Sequence, residues 1–162
     1  MNQVELRKTQ RSDLDILFDY QTDDEAGYMA AFVSSTWKDR EAYMAKWEKF
    51  LEDDSINSWT ILHNGTIAGS IGTWVMDGEI QITYGIGKEF WGQGLATTAL
   101  ELFLMDMHTR PLYGSAASDN IRSIKMLEKA GFKRTGTERG FALARNEEIE
   151  EVLFRLDNDV EY

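Results

Sequence analysis

Two glycine-containing dipeptides divide the middle of the chain into three β-like runs. Asn64-Gly65 separates "SWTILH" from "TIAGSIGTWVM", and Asp77-Gly78 separates that second run from "EIQITYGI". Asn-Gly and Asp-Gly are the strongest short hairpin signals, because both central residues of a type I′ turn need a positive φ. We therefore predict an antiparallel meander of three strands at the centre of the fold.

The third strand of this meander alternates in polarity, which assigns its two faces. The apolar face is expected to point to the core and carries Ile80, Ile82, Tyr84 and Ile86. The other face is expected at solvent or in a cleft and carries Glu79, Gln81, Thr83 and Gly85. The carboxylate and the amide on this second face are candidate site residues.

Helices and a strand are predicted ahead of the meander. Residues 4–9 have the pattern of an opening strand, and apolar residues recur at helical spacing over residues 14–18. Residues 38–51 form an amphipathic pattern with aromatic side chains at i, i+4 and i+7. The stretch between, residues 22–37, has no clear period and is interpreted as either a mobile loop or a short helix.

After the meander the pattern alternates helix, strand, helix and then two closing strands. Asp119 or Asn120 is expected to cap the second of these helices and Gly131 to end it. We find no repeat or linker, so we predict one domain over residues 1–162. The order of elements predicts an α/β (α+β) fold whose central sheet is mixed, mostly antiparallel and flanked by helices.

Composition excludes several classes of function. The chain has no cysteine, which rules out disulfides, thiolate metal sites and a cysteine nucleophile, and its two histidines are far apart, so we expect no metal. The net charge of −11 argues against nucleic acid and is compatible with cationic substrates or with simple solubility. Without an apolar run of about 20 residues or a signal-type N-terminus, we expect a cytoplasmic protein with no membrane partner.

The stretch "FWGQGLATTAL" sets Gly92 and Gly94 immediately before an apolar run. The glycines either let the chain turn into a helix or expose backbone N–H groups that hold a phosphate. A Walker A motif is excluded because no Gly-Lys-Ser/Thr follows, and the dinucleotide fingerprint needs a glycine where Thr97 stands. The turn alone leaves both interpretations open.

Two ordered motifs resolve that ambiguity. "GIGKEFWGQGLATTAL" and the later "SDNIRSIKMLEKAGFKRTGTERG" resemble the two signature motifs of the GCN5-related N-acetyltransferase (GNAT) superfamily. The first, Gln/Arg-x-x-Gly-x-Gly/Ala, is matched by residues 91–96 with Trp91 at its first position, and the second is matched by residues 120–132. The resemblance is greatest to the branch that acetylates ribosomal-protein N-termini, which commonly carries that tryptophan.

The resemblance implies acetyl-CoA as co-substrate and direct transfer of its acetyl group to a primary amine in a ternary complex. Its pyrophosphate would lie on the first turn of the helix after the glycines, where unpaired N–H groups and the helix dipole favour an anion. The pantetheine arm would bond the backbone of the third meander strand. The implied cofactor-binding residues are Tyr84, Ile86, Trp91, Gly92, Gln93, Gly94, Leu95, Ala96, Thr97, Asn120 and Ser123.

Acetyl transfer to an amine needs a proton acceptor and a group that stabilises the leaving thiolate. Glu79 is the first candidate base, acting through water, with water alone as the alternative, since the family's usual carboxylate position holds Gln81. Many relatives place a tyrosine where this chain has Leu127. The resemblance therefore implies that Ser123 stabilises the leaving thiolate by a hydrogen bond, and Tyr113 is a weaker alternative candidate.

The acceptor is expected to bind between residues 23–51 and the loop after the last helix. Tyr28, Phe32, Trp37 and Gln81 are the candidate substrate-binding residues. The acidic stretches "QTDDEAGY" and "RNEEIEE" favour an amine with extra positive charge, such as a basic N-terminus, a polyamine or an aminoglycoside. The alternative is a non-catalytic coenzyme-A-binding sensor or regulatory module, and the sequence leaves monomer and homodimer open.

Overall fold

A single sheet organises the computed structural model, which describes residues 3–157. Its strands are β1 (Val4–Lys8), β2 (Asn57–His63), β3 (Thr66–Met76), β4 (Glu79–Ile86), β5 (Leu112–Ala117), β6 (Lys133–Ala142) and β7 (Glu147–Leu156). Its helices are α1 (Leu14–Thr22), α2 (Asp24–Ala30), α3 (Arg40–Glu52), α4 (Leu95–Asp106) and α5 (Ile121–Lys129). Residues 1–2 and 158–162, the ends of the domain predicted from the sequence, lie outside the described residues.

Among the described residues the seven strands follow the order β1-β2-β3-β4-β5-β7-β6. Every neighbouring pair is antiparallel except β4 with β5, which are parallel. The predicted mixed, mostly antiparallel sheet flanked by helices is therefore confirmed. The stretch that the sequence left as a loop or a short helix contains α2, whose N-cap Asp23 accepts a hydrogen bond from the Ala26 amide.

The meander forms through the turns that its dipeptides predict. Asn64 and Gly65 have φ of 51° and 83°, and Asp77 and Gly78 have φ of 52° and 79°. The two turns place β2, β3 and β4 side by side with Ile71 opposite Tyr84 and Trp74 opposite Gln81. The strand alternation also holds, because Ile82 is buried while Glu79 and Thr83 are exposed.

The main core lies between the sheet and the pair α4 and α5. Apolar side chains from both helices and from the inner strands meet there, and they include Leu95, Ala99, Phe103, Ile124, Leu127, Ile82, Leu112 and Phe154. On the opposite side α1 buries Leu14, Leu17 and Phe18, whereas no residue of α3 is fully buried. The packing of α4 and α5 on the sheet fixes the positions of their N-terminal ends. The candidate site lies at these two helix ends.

Strands β4 and β5 meet at one place only in the described part of the chain. Their single register pair is Gln81 with Tyr113, near the start of each strand. Because the strands run parallel, the chain leaves both of them at the same end of the sheet, and each continues into a helix, α4 after β4 and α5 after β5. This arrangement places two helix N-termini beside the end where β4 and β5 are no longer paired.

Candidate active site

The glycine turn leaves the N-terminus of α4 open to a ligand. Gly92 and Gly94 have φ of 80° and 73°, a left-handed conformation that favours glycine. A Cβ built on either glycine meets no atom within 4 Å, so the space in front of them is free. Gly94 is the N-cap of α4 and supplies no side-chain cap, and the first turn carries no acidic residue.

The first-turn amides of α4 are therefore available to an anion. The first hydrogen bond of the helix runs from the Thr98 amide to the Gly94 carbonyl at 3.1 Å. The preceding amides of Leu95, Ala96 and Thr97 have no carbonyl partner within a helix of this geometry. Three N–H groups, the positive end of a helix dipole and open space form a site that suits a phosphate or pyrophosphate.

Trp91 connects this turn to the end of β4. Its indole Nε1 donates a hydrogen bond to the Ile86 carbonyl at 2.8 Å. The guanidinium of Arg122, from α5, lies 5.6 Å from the centre of the Trp91 ring, a cation–π distance. Trp91 thus braces the turn, and its role in holding the cofactor stays a prediction. Arg122 adds a positive charge near the phosphate site, a role that the motif pattern did not indicate.

The free edge of β4 presents backbone groups toward β5. The Gly87 amide donates to the Ala68 carbonyl at 2.8 Å, so residue 87 bonds toward β3. In an antiparallel ladder this direction alternates, which turns the backbone N–H and C=O groups of Tyr84 and Ile86 toward β5. The Ile86 carbonyl is used by Trp91, and the remaining groups face the opening between β4 and β5. An extended amide-containing chain is the complement of such an edge.

Three predicted site residues come together at the start of α5. The hydroxyls of Tyr84 and Ser123 lie 2.9 Å apart. Asn120 caps the helix, because its Oδ1 accepts from the Ser123 amide at 3.3 Å, and its Nδ2 donates to the Met29 carbonyl at 3.5 Å. Leu127, where relatives place a tyrosine, is fully buried in the core. A tyrosine hydroxyl therefore reaches Ser123 from β4, which sequence reasoning missed because it used Tyr84 only for its backbone.

Burial raises the pKa of Tyr84 to about 12, against a smaller lowering by the hydrogen bond with Ser123. The phenol consequently keeps its proton through the neutral range and can donate. Either hydroxyl can donate in this pair, and when Tyr84 donates, the Ser123 Oγ directs its own hydrogen elsewhere and becomes an oriented donor.

The structure does not bring Glu79 next to these hydroxyls. Glu79 is the first residue of β4 and is exposed, on the sheet face opposite to that of Tyr84. The two residues are five positions apart, which corresponds to about 17 Å along a strand. Partial desolvation and the nearby Glu79 carboxylate raise the pKa of Tyr113, which shows that Glu79 and Tyr113 are neighbours. The role of Glu79 as a base stays a prediction and requires intervening water.

The family model for the acetyltransferase (GNAT) domain matches residues 3–133. The chain belongs to this family. Among curated proteins, it is 24% identical over 161 residues to the uncharacterized N-acetyltransferase p20 of Bacillus licheniformis, covering 93% of this chain and 90% of that protein. The predicted superfamily is therefore confirmed, whereas nothing in these matches selects the ribosomal-protein branch.

Solved structures share the same GNAT fold. An N-acetyltransferase from Staphylococcus aureus Mu50 superposes with a TM-score of 0.82 at 17% identity, over 97% of this chain and 99% of that one. The protein yncA from Salmonella typhimurium, solved with its cofactor acetyl-CoA, gives a TM-score of 0.78 at 16% identity, over 99% of this chain and 96% of that one. These likenesses support the fold.

The GNAT cofactor, acetyl-CoA, fits the residues described above. The open glycine turn suits its pyrophosphate, the free β4 edge suits the amides of its pantetheine arm, and the Ser123 hydroxyl stands where that edge meets α5. Of the predicted cofactor-binding residues, Gln93 is exposed within the turn. Among residues 3–157 we find no group of three or more His, Asp or Glu side chains placed to hold a metal.

The predicted acceptor-binding aromatics separate into two places. The exposed Tyr28 ring lies under the Arg145 guanidinium, 4.2 Å away, and the Phe32 ring lies 3.4 Å from where a Cβ on Gly140 would be. Both therefore flank the hairpin of β6 and β7. Trp37 instead packs so closely on Gly27 that a Cβ there would meet its ring at 2.2 Å. The structure thus groups Tyr28 with Phe32 and leaves Trp37 on the α3 side.

A pair of carboxylates on the Gln81 face of the sheet was missed by sequence reasoning. Glu151 lies opposite Glu138 across β6 and β7 and opposite Ala117 on β5. Burial raises the pKa of Glu151, Glu138 raises it further, and a hydrogen bond with Ser115 opposes the shift. The only sequence signal was the run of glutamates in β7, which does not say which of them is half-buried.

No helix among the described residues is long and apolar enough to span a membrane.

Proposed function

We propose that this GNAT enzyme transfers the acetyl group of acetyl-CoA directly to a primary amine, either a protein N-terminus or a small amine, in a ternary complex. The observation that carries this proposal is the Tyr84–Ser123 hydroxyl pair, 2.9 Å apart, at the end of the free β4 edge that leads from the glycine turn. Phosphate site, extended backbone edge and paired hydroxyls follow one another in the order in which the parts of acetyl-CoA are joined.

Bound acetyl-CoA would supply an activated acetyl group, and the leaving group of the transfer is the thiolate of coenzyme A. The chain itself holds the co-substrate in place and donates a hydrogen bond to the leaving group. The amides of Leu95, Ala96 and Thr97 hold the pyrophosphate, and the backbone of Tyr84 orients the arm. When Tyr84 is the donor of the hydroxyl pair, the Ser123 Oγ accepts and its own hydrogen is available to the leaving sulfur. A serine hydroxyl is a weak acid, so this hydrogen bond stabilises the thiolate rather than protonating it outright.

The amine must lose a proton before it attacks, since a lysine-like amine has a pKa of about 10.4. Glu79, acting through water, is the first proposed acceptor of that proton, with water alone as the alternative. Glu151 is a second carboxylate on the same sheet face, and its raised pKa brings it nearer to neutral pH, where a general base works best.

The proposed acceptor is an amine that carries additional positive charge. Support comes from the net charge of −11 and from three carboxylates, Glu79, Glu138 and Glu151, on one face of the sheet. Assignment to the branch that acetylates ribosomal-protein N-termini rests on Trp91 and Ser123 in the two motifs. The cytoplasmic location and the single domain over residues 1–162 stay predictions.

The experiment is a thiol-release assay with acetyl-CoA and a panel of amines. The panel contains a peptide with a basic N-terminus, a polyamine, an aminoglycoside and a neutral monoamine, and the acetylated product is identified by mass spectrometry. We expect turnover with at least one cationic amine and little with the neutral one. Tight coenzyme A binding without turnover on any amine would instead support the non-catalytic module, and absence of binding would refute the proposal.

A further inference from the structure

Arg145 lies in the turn between β6 and β7, and all three nitrogens of its guanidinium donate hydrogen bonds to two other parts of the chain. Nη1 and Nη2 donate to both oxygens of Asp119 at 2.6 and 2.9 Å, and Nε donates to the Tyr28 carbonyl at 2.8 Å. The guanidinium also stacks on the Tyr28 ring at 4.2 Å. The side chain of Arg145 is only 2% exposed although it carries a full charge.

These contacts fasten the C-terminal end of α2 to the sheet. The last residue of that end, Ala31, is fully buried and has φ of 65° and ψ of −60°, and the Phe32 amide bonds the Ala30 carbonyl across it at 2.7 Å. This is a γ-turn with positive φ, a rare and strained conformation for a residue with a side chain. Such strain persists only where the surroundings hold it, and it concentrates at functional sites.

The neighbour of Arg145 holds the same turn from the other side. The Ala144 amide donates to the Ala31 carbonyl at 3.2 Å. With the turn fixed, Phe32 and Ile149 pack against the same buried alanine cluster, and Phe32 also lies against Gly140, on the sheet face that carries Gln81 and Glu151. The end of α2 thereby becomes one wall of the acceptor side of the site.

We propose that Arg145 is a positioning residue for the amine acceptor: by clamping Asp119 and Tyr28 it holds the strained end of α2 as the wall against which the amine binds. The inference rests on the proposed function. Arg145 contacts neither α4, which carries the phosphate site, nor β4, which carries the free edge, and its nearest link to the acetyl-CoA site is through Asp119, the residue before Asn120. Arg145 should therefore govern the KM of the amine and leave the KM of acetyl-CoA nearly unchanged.

The other end of α2 is held by a weaker kind of ion pair. At the N-terminal end, Glu25 pairs with Lys88 at 2.7 Å, but both side chains are more than half exposed. Exposed pairs of this kind contribute little to holding a structure. Arg145 differs because its own side chain is buried, although Asp119 is exposed, and because its contacts are bidentate and stacked. Contacts of this class depend on planar guanidinium geometry, for which lysine is no substitute.

The test uses the full chain with Arg145→Lys, Asp119→Asn and the matched control Arg139→Lys, which alters an exposed arginine of the same hairpin that donates to the Glu148 carbonyl at 3.4 Å. Steady-state kinetics are measured with each substrate varied in turn on the best amine of the panel. We expect Arg145→Lys to raise the amine KM about tenfold while the acetyl-CoA KM changes less than about twofold, a split that general destabilisation would not produce. Asp119→Asn, at an exposed position, should act in the same direction but less strongly, and Arg139→Lys should have no effect.

Hydrogen exchange of the peptides that contain the end of α2 and the β6–β7 turn, measured on the same variants without substrate, provides a second readout. Exchange at Ala31, Phe32 and Ala144 should accelerate in Arg145→Lys and in Asp119→Asn, and should be unchanged in Arg139→Lys. An unchanged amine KM, or an equal rise in both KM values, would overturn the proposal, as would unchanged exchange. If the wild type acetylates no amine, the proposed function itself has failed, and the exchange result still decides whether Arg145 fastens α2.

Discussion

Replacing Gly94 by aspartate places a negative charge in the phosphate site that we assign to the start of α4. Gly94 has φ of 73°, and a Cβ at this position points into open space. Aspartate tolerates the left-handed conformation better than most residues, and the strain costs about 1–2 kcal/mol of folding stability. The variant should therefore fold, and its defect should appear in acetyl-CoA binding.

The size of that defect follows from the charge separation. A carboxylate at residue 94 would lie about 5 Å from a pyrophosphate on the first-turn amides, and one pair of unit charges repels by about 3 kcal/mol at this distance with an effective dielectric constant of about 20. A loss of about 3 kcal/mol corresponds to somewhat more than a hundredfold rise in Kd. Gly94→Ala adds no charge and should lose less affinity, since it only obstructs the backbone.

Gly78→Asp is the matched control for this variant. Gly78 also has a positive φ, 79°, and also has no atom within 4 Å of a built Cβ, but it lies in the hairpin turn between β3 and β4. It carries the same backbone strain at the start of β4, whereas the glycine turn follows the end of that strand. Isothermal titration calorimetry with acetyl-CoA should show wild-type affinity for Gly78→Asp and a loss for Gly94→Asp. Equal affinities in both variants, with intact folds by circular dichroism, would refute the phosphate assignment.

Three further predictions concern the chemistry. Tyr84→Phe should lower kcat about tenfold with an unchanged KM for acetyl-CoA, because a hydrogen bond that orients Ser123 contributes about 1–1.5 kcal/mol. In a Ser123→Ala background, Tyr84→Phe should have no further effect on kcat. Additive losses in the double variant would disprove the coupling between the two hydroxyls. Glu79→Gln should lower turnover most at neutral pH. If its pH–rate profile is the same as that of the wild type, the proton of the amine is accepted by water or by Glu151 instead. Glu151→Gln should raise Tm at pH 7, because the pKa of Glu151 is raised in the folded protein and its ionised carboxylate therefore destabilises the fold at higher pH. This gain in Tm should vanish below about pH 4, where Glu151 is protonated in both the folded and the unfolded protein. Glu150→Gln should show no such gain.

The elements of the fold were predictable because their signals are local. Turn dipeptides placed β3 and β4 at the bounds that the structure gives them, and the Asn120 cap placed the start of α5. The C-terminal signal of α5 was off by one residue, since Ala130 is the C-cap and Gly131 follows it with φ of 102°. The short α2 was left undecided because a helix of seven residues has too few positions to establish a period.

The contacts within the candidate site were not predictable in the same way. Tyr84 and Ser123 are 39 residues apart, and Arg145 is 26 residues from Asp119. Neither spacing corresponds to a helix turn or a strand repeat, so only the three-dimensional arrangement of β4, α5 and the last hairpin brings them together. The same reason hid the half-buried state of Glu151, which depends on Ser115 and Glu138 from two other strands.

The contrast between the two substrates follows from what holds each of them. The donor side is built from backbone groups, namely the first-turn amides of α4 and the edge of β4, and backbone geometry is specified by short local motifs such as Gly92-Gln93-Gly94. The acceptor side that we propose is built from side chains of α2, β4 and the β6–β7 hairpin, whose positions depend on long-range contacts such as that of Arg145. Side chains at such positions can change without disturbing the donor motif. One GNAT framework can therefore keep acetyl-CoA fixed while its amine differs, and the acceptor of this chain has to be sought at Arg145, Phe32 and Glu151.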